Sequence, residues 1–220
     1  MARSRKTDFP TLSPLFLPEL EAGDPELLTI RGSYELTRFA DADVSERDLS
    51  GVTFSECELI GLSANNSSLR GARLLETRVE QLNAPVFPAP RVQLREVEIT
   101  HSRLGAAEMY DAVLQQALFA HCKLGWVNLR ASDLSNVVFR DCVISELDLV
   151  DARLKRVSFE NCRADVIHLS GAKLEHVDLR GLEIGTLSDA ASLRGATLSS
   201  SQAASLTRVF AEHLGILVED

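Results

Sequence analysis

Apolar residues return at every fifth position along most of this chain. From Val44 to Ile184, each of the 29 positions reached in steps of five is apolar. Since 45% of the residues are hydrophobic, chance would make about 13 of them apolar. The interval matches neither the helical period of 3.6 residues nor the strand period of 2. The pattern therefore indicates one small unit repeated many times.

A second position in each unit, two residues before the central one, is filled mostly by small residues. Its occupants include six alanines and all four cysteines: Ala72, Ala107, Ala112, Ala117, Ala152, Ala172, Cys57, Cys122, Cys142 and Cys162. The other three positions are mostly polar, with Gly at several of them. We therefore expect each unit to point one large and one small side chain inward.

A longer interval of twenty residues overlies the interval of five. The stretches FAHC, FRDC and FENC begin at Phe119, Phe139 and Phe159, although the residues between them are not copied. Twenty residues equal four units, so this interval suggests a structural turn made of four units.

The units resemble the pentapeptide-repeat family, whose consensus is roughly A(D/N)Lxx. The best matches are ADV at 42–44, SDL at 132–134, ARL at 152–154, AKL at 172–174 and VDL at 177–179. The resemblance covers about residues 34–198. It implies an all-β solenoid, a right-handed quadrilateral β-helix of about seven coils with four units per coil. Phe119, Phe139 and Phe159 would then lie above one another.

Residues 1–33 do not follow the repeat, and they hold four of the seven prolines. We expect an extended lead-in or cap that packs on or near the first coil. The other three prolines lie within 85–90, where the count of five is kept. A local distortion or a bulged corner is expected there, without an inserted loop.

The C-terminal segment 199–220 has a different pattern. Its apolar residues have helical spacing: Leu206, Val209, Phe210 and Leu214. Serines at 199–201 offer an N-cap and Gly215 a C-cap, so a short α-helix is predicted. This helix covers the open edge of the last coil or joins two subunits, and the sequence leaves both roles open. The resemblance favours a homodimer, because gyrase-protecting members of the family dimerise through this end.

Composition narrows the class of protein. The net charge of −9 argues against direct nucleic-acid binding, because an acidic surface repels phosphate. No apolar run approaches the ~18 residues of a membrane span. The basic N-terminus lacks the continuous apolar stretch of a secretory signal. A cytoplasmic protein that does not bind membranes is expected.

The sequence offers no motif typical of a catalytic, cofactor or metal site. The cysteine spacings match no zinc motif, and all four thiols occupy the small inward position, where they act as small hydrophobes. We find no glycine-rich phosphate loop, no GxSxG motif and no paired metal carboxylates. A filled β-helix also offers no internal cavity. We therefore expect no cofactor, no metal and no enzymatic activity.

Charged residues form two candidate partner surfaces. Steps of twenty join Glu56, Glu76 and Glu96 into an acidic stripe. Four basic residues lie together on one predicted face near the end of the repeat: Arg153, Lys155, Arg156 and Lys173. The alternative interpretation is an ordinary solvated surface with mixed signs.

These patterns predict a non-catalytic protein-interaction scaffold whose partner is an unidentified protein. The alternative, taken from the resemblance, is a DNA mimic that binds DNA gyrase, a type II topoisomerase, and protects it from quinolone-like inhibitors. The chain departs from such mimics in its charge balance, because residues 42–186 hold 21 acidic and 16 basic residues. It also lacks the projecting loops that some quinolone-resistance members insert between coils.

Overall fold

The chain forms a β-solenoid, as the repeat predicts, in a computed structural model that describes residues 7–219. Residues 1–6 and 220, which belong to the predicted segments 1–33 and 199–220, lie outside the described residues. The strands are β1 (Glu21–Ala22), β2 (Ser33–Glu35), β3 (Thr37–Ala40), β4 (Thr53–Ser55), β5 (Glu58–Ile60), β6 (Arg73–Leu75), β7 (Arg78–Glu80), β8 (Asn83–Pro88), β9 (Gln93–Thr100), β10 (Arg103–Glu108), β11 (Val113–Ala120), β12 (Lys123–Asn128), β13 (Asp133–Arg140), β14 (Val143–Asp148), β15 (Arg153–Glu160), β16 (Cys162–His168), β17 (Lys173–Asp178), β18 (Leu182–Ser188) and β19 (Ala196–Thr197). Two short helices follow, α1 (Ser200–Ser205) and α2 (Thr207–His213).

Each coil pairs with the next in parallel, and the register is twenty residues over most of the rod. Leu114 of β11 lies opposite Leu134 of β13, which lies opposite Leu154 of β15. The pairing extends beyond the repeat detected in the sequence at the N-terminal end, where β1 pairs with β3, and it continues to the end of the repeat, where β19 pairs with β17. The solenoid therefore has about nine turns, more than the seven predicted.

The core is the inside of the coil. Leu134 is 2% exposed and Phe139 is 1% exposed, as their central positions require. Phe139 stacks between Phe119 and Phe159 with ring centroids 5.0 Å apart on each side. That distance is close to the ~4.8 Å spacing of paired strands. The interval of twenty thus arises because one full turn returns each side chain above itself.

The chain turns at residues in the left-handed conformation. In the coil that starts near residue 93, Glu96, His101 and Asp111 have φ values of 56°, 51° and 56°. These positions lie two residues after the central ones and face solvent. Since a left-handed residue bends an extended chain, each one marks a corner between two faces of the coil.

The proline segment changes one corner of the coil without inserting a loop. In the first coils the corner residues Glu46 and Asn66 have φ values of 62° and 56°, whereas the next residue in that column, Val86, does not adopt positive φ. The peptide N–H of Asn66 donates to Val86 instead of Pro85. β8 nevertheless keeps its register with β10.

Glycines follow Pro85 at the same position of the next two coils, at 105 and 125. A Cβ atom at Gly105 would lie 2.2 Å from the carbonyl oxygen of Pro85. No side chain fits at that distance, so the backbone of the following coil can approach Pro85 only through glycine.

The interior is less completely filled than expected. An apolar cavity of about 50 Å³ lies in the N-terminal half of the rod, and its lining includes Ala64 at a central position. It is too small for a substrate. The prediction of a fully filled coil is wrong here, because a small residue at the centre leaves space that its neighbours do not close.

Candidate interaction surfaces

The cysteine column belongs to the core. Cys122, Cys142 and Cys162 are buried free thiols stacked in successive coils, with the Cys142 N–H 3.4 Å from Cys162 Sγ. Hydrogen bonding to Cys122, together with burial, raises the pKa of the Cys142 thiol to about 11. Hydrogen bonding to Cys142 and burial also raise the pKa of Cys162. Because a thiolate is the reactive form, these two thiols are poor nucleophiles at neutral pH.

The histidine column does not form a recognisable metal site. The rings of His101 and His121 stack 4.9 Å apart, and His121 Nδ1 lies 3.6 Å from Asp141. Within residues 7–219, no three His, Cys, Asp or Glu side chains are placed to hold one ion. None of the helices in that range is long and apolar enough to cross a membrane.

The acidic stripe of Glu56, Glu76 and Glu96 lies along one corner of the rod. All three residues have positive φ, between 47° and 56°. The stripe is partly neutralised, because Glu76 lies 3.7 Å from Arg95. The structure thus brings the three predicted residues into one column. Their role as a partner surface stays a prediction.

A charge ladder runs beside the acidic stripe, one face further along the coil. Arg78 lies between two glutamates, with Nη1 3.0 Å from Glu58 and Nε 3.4 Å from Glu98. Arg38 lies 3.6 Å from the other carboxylate oxygen of Glu58. Alternating signs at neighbouring coils lower the negative field of this half of the rod.

Three of the four predicted basic residues, Arg153, Lys155 and Lys173, line one surface groove of about 670 Å³ on β11, β13, β15 and β17. Arg153 lies 3.2 Å from Asp133, and Lys155 lies 3.2 Å from Glu175.

The remaining two basic residues differ in their surroundings. The fourth predicted residue, Arg156, lies outside the groove at the adjacent corner and donates to Asn136 at 2.7 Å. Lys173, inside the groove, has no ion-pair partner within residues 7–219.

The C-terminal helices lie against the last coil. Leu206 is 9% exposed, Val209 and Phe210 pack partly buried against the core, and Leu214 is 71% exposed. Gln202 Nε2 donates to the carbonyls of Leu179 and Leu182 at 2.6 and 2.7 Å. The predicted single helix is divided at Leu206, whose φ of −87° and ψ of 4° end α1. The helices therefore cover the last coil, and their role as a dimer interface stays a prediction.

A surface that sequence reasoning missed is covered by residues 7–20, here named the strap. The strap runs along the rod from its C-terminal end toward its N-terminal end. Thr7 Oγ1 lies 2.6 Å from Thr197 Oγ1, and the carbonyl of Leu15 accepts from Arg78 Nη2 at 3.4 Å. Only then does the chain reach the first coil, where Glu21 pairs with Thr37.

The strap is bound by side chains of the same corner column that holds the acidic stripe. Gln116 Oε1 accepts from the N–H of Ser13 at 3.2 Å, and Asn136 Oδ1 accepts from the N–H of Thr11 at 3.3 Å. Further along the column, His176 Nδ1 accepts from the N–H of Asp8 at 3.1 Å. The only sequence signal for this contact is the proline spacing at 10, 14 and 18, which favours an extended chain.

Two protein-family models match parts of this chain. The family model of the pentapeptide repeat region matches residues 112–188, and the model of pentapeptide repeats matches residues 37–74. Together they cover just over half of the chain. No curated protein sequence matches significantly.

Solved structures with a related architecture include a trypsin-treated form of QnrB1, described as a plasmid-mediated fluoroquinolone resistance protein. It is 19% identical, covers 90% of this chain and 95% of its own, and has a TM-score of 0.48. Another is HetL, a pentapeptide repeat protein involved in heterocyst differentiation regulation in the cyanobacterium Nostoc sp. strain PCC 7120. It is 17% identical, covers 77% of this chain and 90% of its own, and has a TM-score of 0.30. With the five-residue interval, the twenty-residue register and both family matches, this chain belongs to the pentapeptide-repeat proteins.

Proposed function

We propose that this protein is a non-catalytic scaffold that binds a protein partner on its outer faces. The observation that carries the proposal is the surface groove on β11, β13, β15 and β17. Its floor is the strand backbone over Leu134 and Leu154, and long charged side chains rise on both sides. A concave face whose rim carries polar and charged side chains is suited to binding a protein partner.

Charge selects the kind of partner for this groove. Asp133 and Glu175 engage two of the three cationic side chains, which leaves Lys173 available to a partner carboxylate. The rest of the protein is acidic, with a net charge of −9. A local positive site on such a surface orients an acidic partner toward it. The proposed partner therefore presents an acidic protein surface.

A charge reversal tests this assignment. Lys173→Glu is compared with Lys123→Glu, which makes the same change on another face, at an exposed position of β12. In pull-downs from the native host, a partner retained by wild type and Lys123→Glu is expected to be lost with Lys173→Glu. Circular dichroism of both variants checks the fold. Retention of the same proteins by both variants would overturn the groove assignment.

The alternative function is a DNA mimic that binds gyrase. The acidic stripe at Glu56, Glu76 and Glu96 favours it, because a column of carboxylates along a rod imitates a row of phosphates. The charge ladder at Glu58 and Glu98 argues against it, because alternating arginines interrupt the negative field. A gyrase supercoiling assay with and without fluoroquinolone separates the two functions. Absence of any effect at micromolar protein rules out the mimic.

A further inference from the structure

The face beneath the strap differs from an ordinary solenoid exterior. Val138 lies between the core residues Val137 and Phe139, and successive strand residues point to opposite sides, so its side chain points outward. It is nevertheless only 4% exposed, as is Ser158 in the same column of the next coil. Neither belongs to the inner core. We infer that the strap covers both residues, because it is bound at Asn136 and also reaches Arg78 and Thr197, which lie before and after them along the same face.

The covered face is incomplete in its polar contacts. Ser158 Oγ is buried and has no hydrogen-bond partner within residues 7–219. A buried hydroxyl without a hydrogen-bond partner destabilises the folded state, because it has lost its hydrogen bonds to water. The strap therefore covers this face but leaves the Ser158 hydroxyl without a hydrogen-bond partner. A ligand with an acceptor beside Ser158 would bind the same face with one more hydrogen bond.

Recognition of the strap uses backbone groups. Three of the four donors to Gln116, Asn136 and His176 are peptide N–H groups, and the fourth is the Ser13 hydroxyl, 2.9 Å from Gln116 Oε1. Any residue except proline supplies a peptide donor, so the three backbone contacts do not require this particular sequence, whereas the Ser13 hydroxyl contact does. Coils repeat every ~4.8 Å, and a polyproline-type chain rises about 3.1 Å per residue, so roughly three residues span two coils. Thr11 and Asp8 are three residues apart and reach acceptors two coils apart.

The strap is attached by few interactions of its own. Phe9 is 50% exposed and Phe16 is 85% exposed, so its largest apolar side chains remain largely in water. It makes no strand pairing with the coils before Glu21. A segment with little buried apolar area and isolated hydrogen bonds opens at much lower free energy than the core.

From these observations we propose that the corner column Gln116, Asn136 and His176, with the adjoining face at Val138 and Ser158, binds an extended, proline-containing segment of a partner protein. The strap is the resident occupant of this site and is displaced when the partner segment binds. The inference rests on the proposed scaffold function only in taking the ligand to be a protein. It concerns a different surface from the groove.

The test uses the full chain and a fluorescent peptide copying residues 7–20. In the variant Thr11→Pro with Ser13→Pro the strap loses three donors, the N–H of Thr11 and both the N–H and the hydroxyl of Ser13, but keeps its extended conformation. An intramolecular segment competes at an effective concentration of order millimolar. Fluorescence anisotropy is therefore expected to show the peptide binding the variant at least about tenfold more tightly than wild type.

Two controls define the site. Adding Asn136→Ala to the variant is expected to weaken peptide binding about tenfold, because it removes the acceptor of Thr11, which Arg156 holds in place at 2.7 Å. A peptide carrying proline at 11 and 13 is expected not to bind. Equal peptide affinity for wild type and the double-proline variant, or no effect of Asn136→Ala, overturns the proposal. The groove assignment would stand in that case, because its charge-reversal test does not involve the strap.

A second measurement on wild type does not depend on the variants folding. Amide exchange at Thr11 and Ser13 is expected to be at least about a hundredfold faster than at Leu134, because the strap opens without unfolding the coils. Exchange at the core rate would show a permanently bound strap and overturn displacement. A wild-type dimer that exchanges labelled straps between copies would assign the face to a second copy instead of a partner.

Discussion

At the scale of single residues, the repeat places an unusual conformational demand on its outward positions. Glu96, like the rest of the corner column, has a left-handed backbone with φ of 56°. Glycine adopts this conformation without penalty and Asn at small cost, whereas a side chain branched at Cβ is strained there. The corner columns are therefore constrained in backbone conformation even though their side chains face solvent.

A matched pair at Glu96 tests this constraint. Glu96→Ile and Glu96→Asn remove the same charge, but only isoleucine is branched at Cβ. Glu96→Ile is expected to lower the free energy of unfolding by about 1–2 kcal/mol relative to Glu96→Asn. Thermal denaturation of both variants measures the difference. Equal melting temperatures would contradict the assigned corner conformation.

Asp178 is another outward residue with an unusual environment. It is 8% exposed and accepts from Arg180 Nε at 2.9 Å and Nη2 at 2.7 Å. The ring of Phe9, from the strap, lies 5.8 Å from the guanidinium carbon of Arg180. The hydrogen bond from Arg180 lowers the pKa of the Asp178 carboxyl below its ordinary value of 3.8.

The lowered pKa predicts a pH dependence. Because the folded pKa is below the unfolded one, Asp178 stabilises the fold fully above pH 3.8, and this contribution is lost as the pH falls through the folded value. Asp178→Asn removes it at every pH. Melting temperatures from pH 6 down to about 2 should therefore show the gap between wild type and variant narrowing below pH 3.8. A gap that stays constant over this range would show that the ion pair does not stabilise the folded state.

At the scale of elements, the two ends of the rod are closed differently. At the N-terminal end, the coil edge is covered by strand β1 and by Leu28, which is 2% exposed. At the C-terminal end, α1 presents Gln202, whose amide donates to two backbone carbonyls of the last coil. Gln202 Oε1 also accepts from the N–H of Ser199 at 2.8 Å, so one side chain caps both the helix and the solenoid.

Two substitutions at Gln202 separate its functions. Gln202→Ala removes both caps, whereas Gln202→Glu keeps an acceptor for Ser199 but loses the donors to the coil. Both are expected to destabilise the C-terminal coil by about 1–2 kcal/mol, the glutamate at least as much, because its charge would face two carbonyls. Hydrogen exchange of residues 173–188 is the measurement. Wild-type exchange in Gln202→Glu would mean that only the helix cap matters.

At the scale of the whole molecule, stability is distributed along one dimension. Each coil contacts mainly the coils before and after it, so a local defect spreads only to its neighbours. Leu114 and Leu174 occupy the same column, three coils apart, through the registers of β11, β13, β15 and β17. Leu114 is fully buried, whereas Leu174 lies near the C-terminal end and is partly exposed.

Substituting alanine for leucine at these two positions should increase hydrogen exchange over different lengths of the rod. Leu114→Ala is expected to cost about 2–5 kcal/mol and to speed hydrogen exchange in coils on both sides. Leu174→Ala is expected to speed exchange only beyond about residue 153, because the last coils can fray without opening the centre. Hydrogen-exchange mass spectrometry distinguishes the two. A uniform increase in both variants would indicate a globally cooperative rod.

Much of the fold was predictable because its determinants are local. Every central residue from Leu94 to Leu154 that the five-residue interval predicts to be inward is buried. The structure brings together part of the predicted basic patch. Arg153, Lys155 and Lys173 line the groove at positions that the period sets. Arg156 lies outside the groove, because its corner position directs it toward Asn136. The cavity beside Ala64 was not predictable, because the way neighbouring side chains relax around a small residue depends on packing across several coils.

The amino-acid sequence by itself determined which side chains lie inside, because each five-residue unit carries its own pattern of apolar and polar positions. It also determined that a turn takes twenty residues, because like side chains stack when each coil pairs with the next in the same register. Only the tertiary structure decided the path of the strap. Ser13 and Gln116 are 103 positions apart, and their contact leaves no period in the chain. An extended, proline-rich segment has no internal hydrogen bonds to direct it, so the surface against which it packs determines where it lies.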